Sequence, residues 1–212
     1  MPQFRDNIQR LTNGGIARIA HKAGVLRISS LTYEEIRGVT HVYLQEVVHK
    51  CVSVVQHDNA KTVQERHVRL ALESLSRNSH TIAHNGASLG ACRKNYTTLL
   101  SERRAKSEAR VRRTSPGVKT FREIKHYSND ASTCFAFAEA AVSGLVRELA
   151  RESTGGLEMR FSSNAVLLLQ LDLEIMLVEL FADAKLFLAS AGTLTVQPKH
   201  IQYARRVQGI RD

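Results

Sequence analysis

Cysteine is scarce in this chain, and the three present, Cys51, Cys92 and Cys134, are spaced widely and irregularly. An odd, scattered set gives no disulfide framework and no paired Cys-x-x-Cys zinc site, so a reducing compartment is the default expectation. His80, His84 and Cys92 could be drawn as metal ligands, but they sit in a polar stretch that reads as loop, where solvated histidines are the better reading and no metal is expected. No apolar window long enough to span a bilayer escapes interruption by acidic residues, and the N-terminus lacks the charged start, apolar core and small-residue cleavage site of a signal peptide. No membrane partner is therefore expected. Also missing are a P-loop, a His-Glu-x-x-His, a Gly-x-Ser-x-Gly and any carboxylate cluster with metal spacing, which argues against an enzyme and against a cofactor.

What is present is a repeat. Arg27-Ile28-Ser29-Ser30 precedes a long apolar run and Lys61-Thr62-Val63, and Arg160-Phe161-Ser162-Ser163 precedes another and Leu194-Thr195-Val196. The step from Arg to Thr is 62 − 27 = 35 residues in one case and 195 − 160 = 35 in the other. Each unit reads as short helix, Arg loop, long helix, Thr-Val loop and short helix. In the first, Thr12 is placed to cap a helix with Ile16, Ile19 and Ala20 on one face, closed by Gly24. Ser30 is a cap candidate for the long helix, with Glu34 and Glu35 expected in its first turn, and Ile36, Val39, Tyr43, Val47, Cys51 and Val54 recur at helical spacing. His57, Asp58 and Asn59 end it, and Gln64 to Leu75 carries Val68, Leu72 and Leu75 at helical intervals.

The second long segment alternates with period two from Leu169 to Ile175, a strand-like pattern, yet neither Gly nor Pro occurs between Gly156 and Gly192. That length is far beyond a strand and ordinary for a helix. The alternation then describes a helix apolar around most of its circumference, with Asp172, Glu174 and Glu179 on the remaining stripe. Neither unit can wrap such a helix alone, and the nearest available partner is the other half of the chain.

Charge supplies the functional direction. Thirty basic residues against twenty acidic ones leave a net +10, which points to a polyanion whose counterions are released on binding. Between the units, Arg103, Arg104, Lys106, Arg110, Arg112 and Arg113 face Glu108 alone, and Ser115-Pro116-Gly117 separates them from a second basic segment with Arg122, Lys125 and His126.

Arg5-Asp6-Asn7-Ile8-Gln9, Arg27-Ile28-Ser29, Tyr33-Glu34-Glu35, Arg37-Gly38-Val39 and Lys61-Thr62-Val63 resemble core histone four across about residues 4–76. Pro116-Gly117, Arg122-Glu123-Ile124, Tyr127, Leu145-Val146-Arg147-Glu148, Arg160-Phe161-Ser162, Leu180-Phe181, Pro198-Lys199-His200-Ile201-Gln202 and Ala204-Arg205-Arg206 resemble core histone three across about 115–212. The chain is similar to the fused histone doublets of large DNA viruses, with residues 1–76 as the first fold, 77–114 as a basic connector and 115–212 as the second fold with a preceding helix. The resemblance implies an all-α architecture: two histone folds clasped head to tail as an intrachain pseudo-heterodimer. It also implies a place in chromatin, in a nucleus or viral replication compartment and in a virion.

It further implies double-stranded DNA as partner. The first loop of one fold would lie beside the second loop of the other, with an arginine in the minor groove and helix N-termini at phosphates. Arg160 with Lys61 and Thr62 forms one expected grip, Arg27 with the Thr193 to Val196 loop, including Thr195, the other. Arg18 and Lys22 would serve a third site, and Arg122, Lys125 and connector residues Arg103, Arg104, Arg110, Arg112 and Arg113 would hold the DNA ends. A second copy would join through Leu180 to Ser190 and Pro198 to Val207, using Leu180, Phe181, Phe187, Ser190, Lys199, His200 and Arg205. There His200 stands for a family acidic residue, which implies an interface that weakens as His200 protonates. A histone two A and two B type pair, separate or fused, would dock at His57, Arg66, Arg69 and Leu72.

Departures from the family limit what carries over. Only four residues precede Arg5, and the connector replaces the lysine-rich tail of histone three. Gly192-Thr193 stands where the family is basic, Glu139-Ala140-Ala141-Val142 likewise, so a weaker grip is expected there. Phe187 and Ser190 replace a family Cys and His tied to copper reduction, and that activity is not transferred. The alternative is a histone-fold transcription factor reading specific sites, although no added base-reading element is present.

Overall fold

The computed structural model describes residues 7–75, 118, 120–122, 124 and 135–208. A 3-10 turn at Asn7–Arg10 precedes α1 (Asn13–Lys22), β1 (Arg27–Ile28), α2 (Ser30–His57), β2 (Thr62–Val63) and α3 (Glu65–Ser74). The second half repeats the order with α4 (Glu139–Ser153), β3 (Arg160–Phe161), α5 (Ser163–Ala191), β4 (Thr195–Val196) and α6 (Pro198–Gln208). The described residues between 118 and 124 are helical as well, in line with the expected helix before the second fold.

Local chemistry sets the helix ends. Thr12 caps α1 as its sequence position suggests, its Oγ1 accepting from the Gly15 N–H at 3.2 Å. In α2 the cap position falls on Ser29, not Ser30, because the Ser29 N–H is committed to the Val196 carbonyl at 2.9 Å and its backbone is still extended. Glu34 and Glu35 consequently lie beyond the first turn, and Glu34 instead pairs with Arg37 at 2.6 Å. Arg37 is itself buried, donating to the Leu11 carbonyl from Nε at 3.1 Å and from Nη2 at 3.0 Å, and so ties the start of α1 to α2. Both long helices end on a left-handed residue, Asn59 at φ 51° and Gly192 at φ 62°, two residue types that tolerate that conformation.

Packing is crosswise. α1 and α3 of the first half lie on α5, while α4 and α6 of the second lie on α2. One core results, with Ile36, Tyr43 and Val47 of α2 in the same cluster as Leu169, Leu173 and Leu177 of α5. Each such leucine, isoleucine or valine contributes about 1.5–3 kcal/mol on leaving water. This is the two-histone-fold clasp expected from the sequence.

Of the polar stripe assigned to α5, Glu179 is exposed, but Asp172 and Glu174 do not face solvent. Asp172 and Glu174 are 1% and 4% exposed, because the other half and the segment before α4 cover that side. Tyr43 Oη donates to Asp172 Oδ2 at 2.5 Å, joining the two long helices. Glu174 accepts from the Ala136 N–H at 2.8 Å and the Phe137 N–H at 3.0 Å, and lies 3.4 Å from Lys22 Nζ. Gln170 Nε2 donates to the Phe137 carbonyl at 3.1 Å. Phe137 in turn fits against Gly15, where an added Cβ would come within 2.7 Å of its ring. The Cys51 thiol is pushed up to about 12 by burial and then by the nearby Asp172 carboxylate, so it acts as a small core hydrophobe.

Glu174→Ala removes the acceptor of two buried backbone N–H groups and the carboxylate facing Lys22, and should cost about 3 kcal/mol. Gly38→Ala, at an exposed helix position with open space for a Cβ, should gain about 0.5–1 kcal/mol. Urea titration of the intact chain measures both; a Glu174→Ala chain as stable as the parent would contradict the role given to this carboxylate.

Candidate nucleic-acid interface

The clasp brings the loops of opposite halves together as two short parallel strand pairs. β1 lies on β4 with Arg27 opposite Thr195, and β2 lies on β3 with Thr62 opposite Arg160. The Arg160 N–H donates to the Lys61 carbonyl at 3.3 Å and the Ser162 N–H to the Val63 carbonyl at 2.9 Å. Alternation buries Val63 and Val196 and leaves Arg27, Arg160 and Lys61 exposed, with Thr62 and Thr195 at intermediate burial. Immediately after each arginine loop a long helix begins, at Ser30 and at Ser163, with first-turn N–H groups that have no helical acceptor. Each pair thus combines an exposed guanidinium, a threonine and a helix start, a set suited to an anionic backbone.

Two further arginines join the second pair. Arg147 and Arg151, four apart on α4, line an open hollow with Glu158, Met159, Arg160 and Phe161, and Arg151 reaches Glu158 at 2.7 Å. Their spacing on one face of a helix leading into Arg160 was the available signal, masked in the sequence by the acidic neighbours Glu148 and Glu152.

The other expected DNA residues divide. Arg18 is half-buried on α1 with its Nε bonded to the Gly14 carbonyl at 3.1 Å. Lys22 is half-buried, its side chain 14% exposed and its Nζ 3.4 Å from Glu174 Oε2, an ion pair that competes with a DNA contact. Arg122 is exposed, whereas Lys125, Arg103, Arg104, Arg110, Arg112 and Arg113 lie outside the described residues.

At the far end of the second half, Leu180 and Phe181 are fully buried inside the clasp, because α5 buries that part of its surface against its own chain, and so cannot meet a second copy. The exposed apolar groups there are Leu186, Tyr203 and Val207, with half-buried Phe187 against Tyr203 at a ring-centroid distance of 5.8 Å. Ser190 and Lys199 are exposed and Arg205 is half-buried. At the end of the first half, His57 is exposed, Arg66 lies 3.6 Å from Asp58 and Arg69 is 2.5 Å from Glu65. Leu72 belongs to the core, and the exposed leucine on α3 is Leu70.

His200 is also misplaced by the sequence reading. It is 2% exposed, and its Nδ1 accepts the Gln197 N–H at 3.1 Å, fixing the start of α6. His67 does the same for Gln64 at 3.0 Å, so the repeat extends to Thr-Val-Gln-x-x-His in both halves, a regularity the sequence itself displays. An Nδ1 that accepts puts the proton on Nε2. His67 Nε2 lies 3.2 Å from Asp58 Oδ2 and 3.1 Å from Arg66 Nε; for His200 the position corresponding to Asp58 is Ala191, and Nε2 has no hydrogen-bond partner among the described residues.

Two family models match the chain. Residues 9–72 fit the histone-like transcription factor (CBF/NF-Y) and archaeal histone family, and residues 116–207 fit the core histone domain shared by histones two A, two B, three and four. Among solved structures, the crystal structure of the histone from Methanopyrus kandleri is similar with a TM-score of 0.51 and 18% identity, over 90% of this chain and 89% of that one. The fold is therefore a tandem of two histone folds. Its second half is similar to the core histones and its first to the archaeal and transcription-factor branch.

Burial, and then the neighbouring Lys199, lower the His200 pKa from its ordinary 6.5. The folded chain therefore holds this imidazole neutral while the unfolded chain protonates it more readily. Stability from His200 is complete above about pH 6.5 and is lost as pH falls below it. Urea midpoints at pH 8 and pH 5.5 should differ less for His200→Gln than for the parent; equal differences would contradict the cap.

Proposed function

We propose that the chain packages double-stranded DNA, wrapping it with little regard to sequence in a nucleosome-like particle. The observation that carries this reading is the pairing of loops from opposite halves, which sets two exposed arginines, Arg27 and Arg160, in equivalent positions beside the starts of the two long helices. Such an arrangement engages phosphates and the minor groove without contacting base edges in the major groove. The basic connector supplies further charge toward the DNA ends.

Two copies associate through the α5 and α6 end, where Leu186, Tyr203 and Val207 form the apolar contact, and a histone two A and two B type pair docks at the α3 end around His57, Arg66, Arg69 and Leu70. On this reading the chain acts in chromatin, in a nucleus or a viral replication compartment, and in a virion, with the domain limits 1–76, 77–114 and 115–212. One finding favours a second reading: the first half fits a family that includes histone-like transcription factors, which would make the chain a binder of particular sites.

Nuclease digestion of random-sequence DNA with this chain should leave a discrete protected fragment that lengthens when a histone two A and two B type pair is added. Light scattering should give two copies per particle. Arg27→Ala combined with Arg160→Ala should lower the slope of log affinity against log salt by about two. Protection confined to particular sequences would favour the regulatory reading, and absence of protection would reject packaging.

A further inference from the structure

The two arginine grips are related by the repeat but differ in chemistry. Around Arg160 stand Lys61, Arg147 and Arg151, all exposed. Shifting by the repeat, 160 − 27 = 133, the place of Lys61 in the other grip is held by Leu194 and the place of Asn164 by Leu31. Leu194 is 65% exposed and Leu31 71%.

Both leucines are fixed to the same strand pair. The Val196 carbonyl, two residues after Leu194, accepts the Thr32 hydroxyl at 3.1 Å and the Ser29 N–H at 2.9 Å, and these donors flank Leu31 in sequence. Arg27 lies opposite Thr195, next to Leu194. A lone surface leucine needs no explanation. Two of them at one strand pair, each replacing a polar counterpart and flanking an exposed arginine, are a different matter. The exposed residues Leu186, Tyr203 and Val207 gather at the α5 and α6 end, Leu70 sits on α3, and Leu157, 70% exposed, precedes Arg160 by three residues but stands without a second leucine, since Lys61 and Asn164 hold the places of Leu194 and Leu31 there.

We propose that the Arg27 grip adds apolar contact to its arginine, Leu31 and Leu194 covering the deoxyribose carbons that line the minor groove beside Arg27, whereas the Arg160 grip adds the further cations Lys61, Arg147 and Arg151. The inference rests on the packaging reading. Ionic contacts release condensed counterions and weaken steeply as salt rises, while removal of leucine surface from water does not. Rising salt therefore frees the DNA from the Arg160 grip first and leaves it held at Arg27.

The test is a salt series of binding constants for the full chain on a short random-sequence duplex. Leu31→Ser with Leu194→Ser should lower affinity by about tenfold at every salt concentration with an unchanged slope, as expected for two exposed leucines each partly covered on binding DNA. Leu194→Lys should steepen the slope by about one, and Lys61→Ser should reduce it by about one. Unfolding midpoints of the leucine variants should match the parent, since both side chains face solvent. Parent-like affinity of the double serine variant, or a loss that disappears as salt rises, would overturn the proposal while leaving packaging intact. A parent chain that binds no duplex at any salt would instead reject packaging, and this inference with it.

Discussion

A helix of 28 or 29 residues that is apolar on several sides cannot be covered by the ten or so residues on either side of it, and everything else in this structure answers that constraint. α2 and α5 each take short helices from the opposite half, so neither half has a complete core of its own. The buried polar contacts then choose the partner. By the repeat, Met176 occupies the place of Tyr43 and Val39 the place of Asp172. Two copies of α5 clasped together would set Asp172 against Met176 and lose the hydrogen bond that Tyr43 donates to this buried carboxylate. Tyr43 with Asp172 and Lys22 with Glu174 therefore favour pairing of unlike halves, and the single chain supplies them at high effective concentration.

The same clasp creates the functional surface. Only head-to-tail packing brings the loop after α1 beside the loop after α5, and the loop after α4 beside the loop after α2. The strands they form are two residues each, too short to stabilise anything alone, yet they fix the register that sets Arg27 opposite Thr195 and Arg160 opposite Thr62. Burial of Val63 and Val196 anchors each pair from below. Core formation and presentation of the arginines are thus one event, and loss of the clasp abolishes both grips together.

Much of this was legible in the sequence because the repeat marks it. Equal spacing from Arg27 to Thr62 and from Arg160 to Thr195 located both loop pairs, and the absence of Gly and Pro between 156 and 192 established α5 despite its two-residue alternation. What the sequence did not show is which polar residues face inward. Lys22 reads as one more cation near a basic helix, and only the fold reveals that Glu174 lies 3.4 Å away beneath it. His200 reads as an interface residue by analogy, but its Nδ1 caps its own helix. Leu180, Phe181 and Leu72 read as outward-facing because periodicity around a helix buried on several sides does not say which side meets which partner. Arg147 and Arg151 were missed because nearby acidic residues balance them in sequence, although in space both arginines line the hollow beside Arg160.

Hydroxyl-radical footprinting of this chain on duplexes trimmed by nuclease to the protected length, whose ends fix the phase of wrapping, tests the central claim most directly, since it reports where the minor groove faces protein. Two arginine grips per chain on wrapped DNA predict protection recurring about every 10 base pairs, with the same period whatever the sequence. Protection at one fixed sequence, or uniform cleavage along the duplex, would contradict the account.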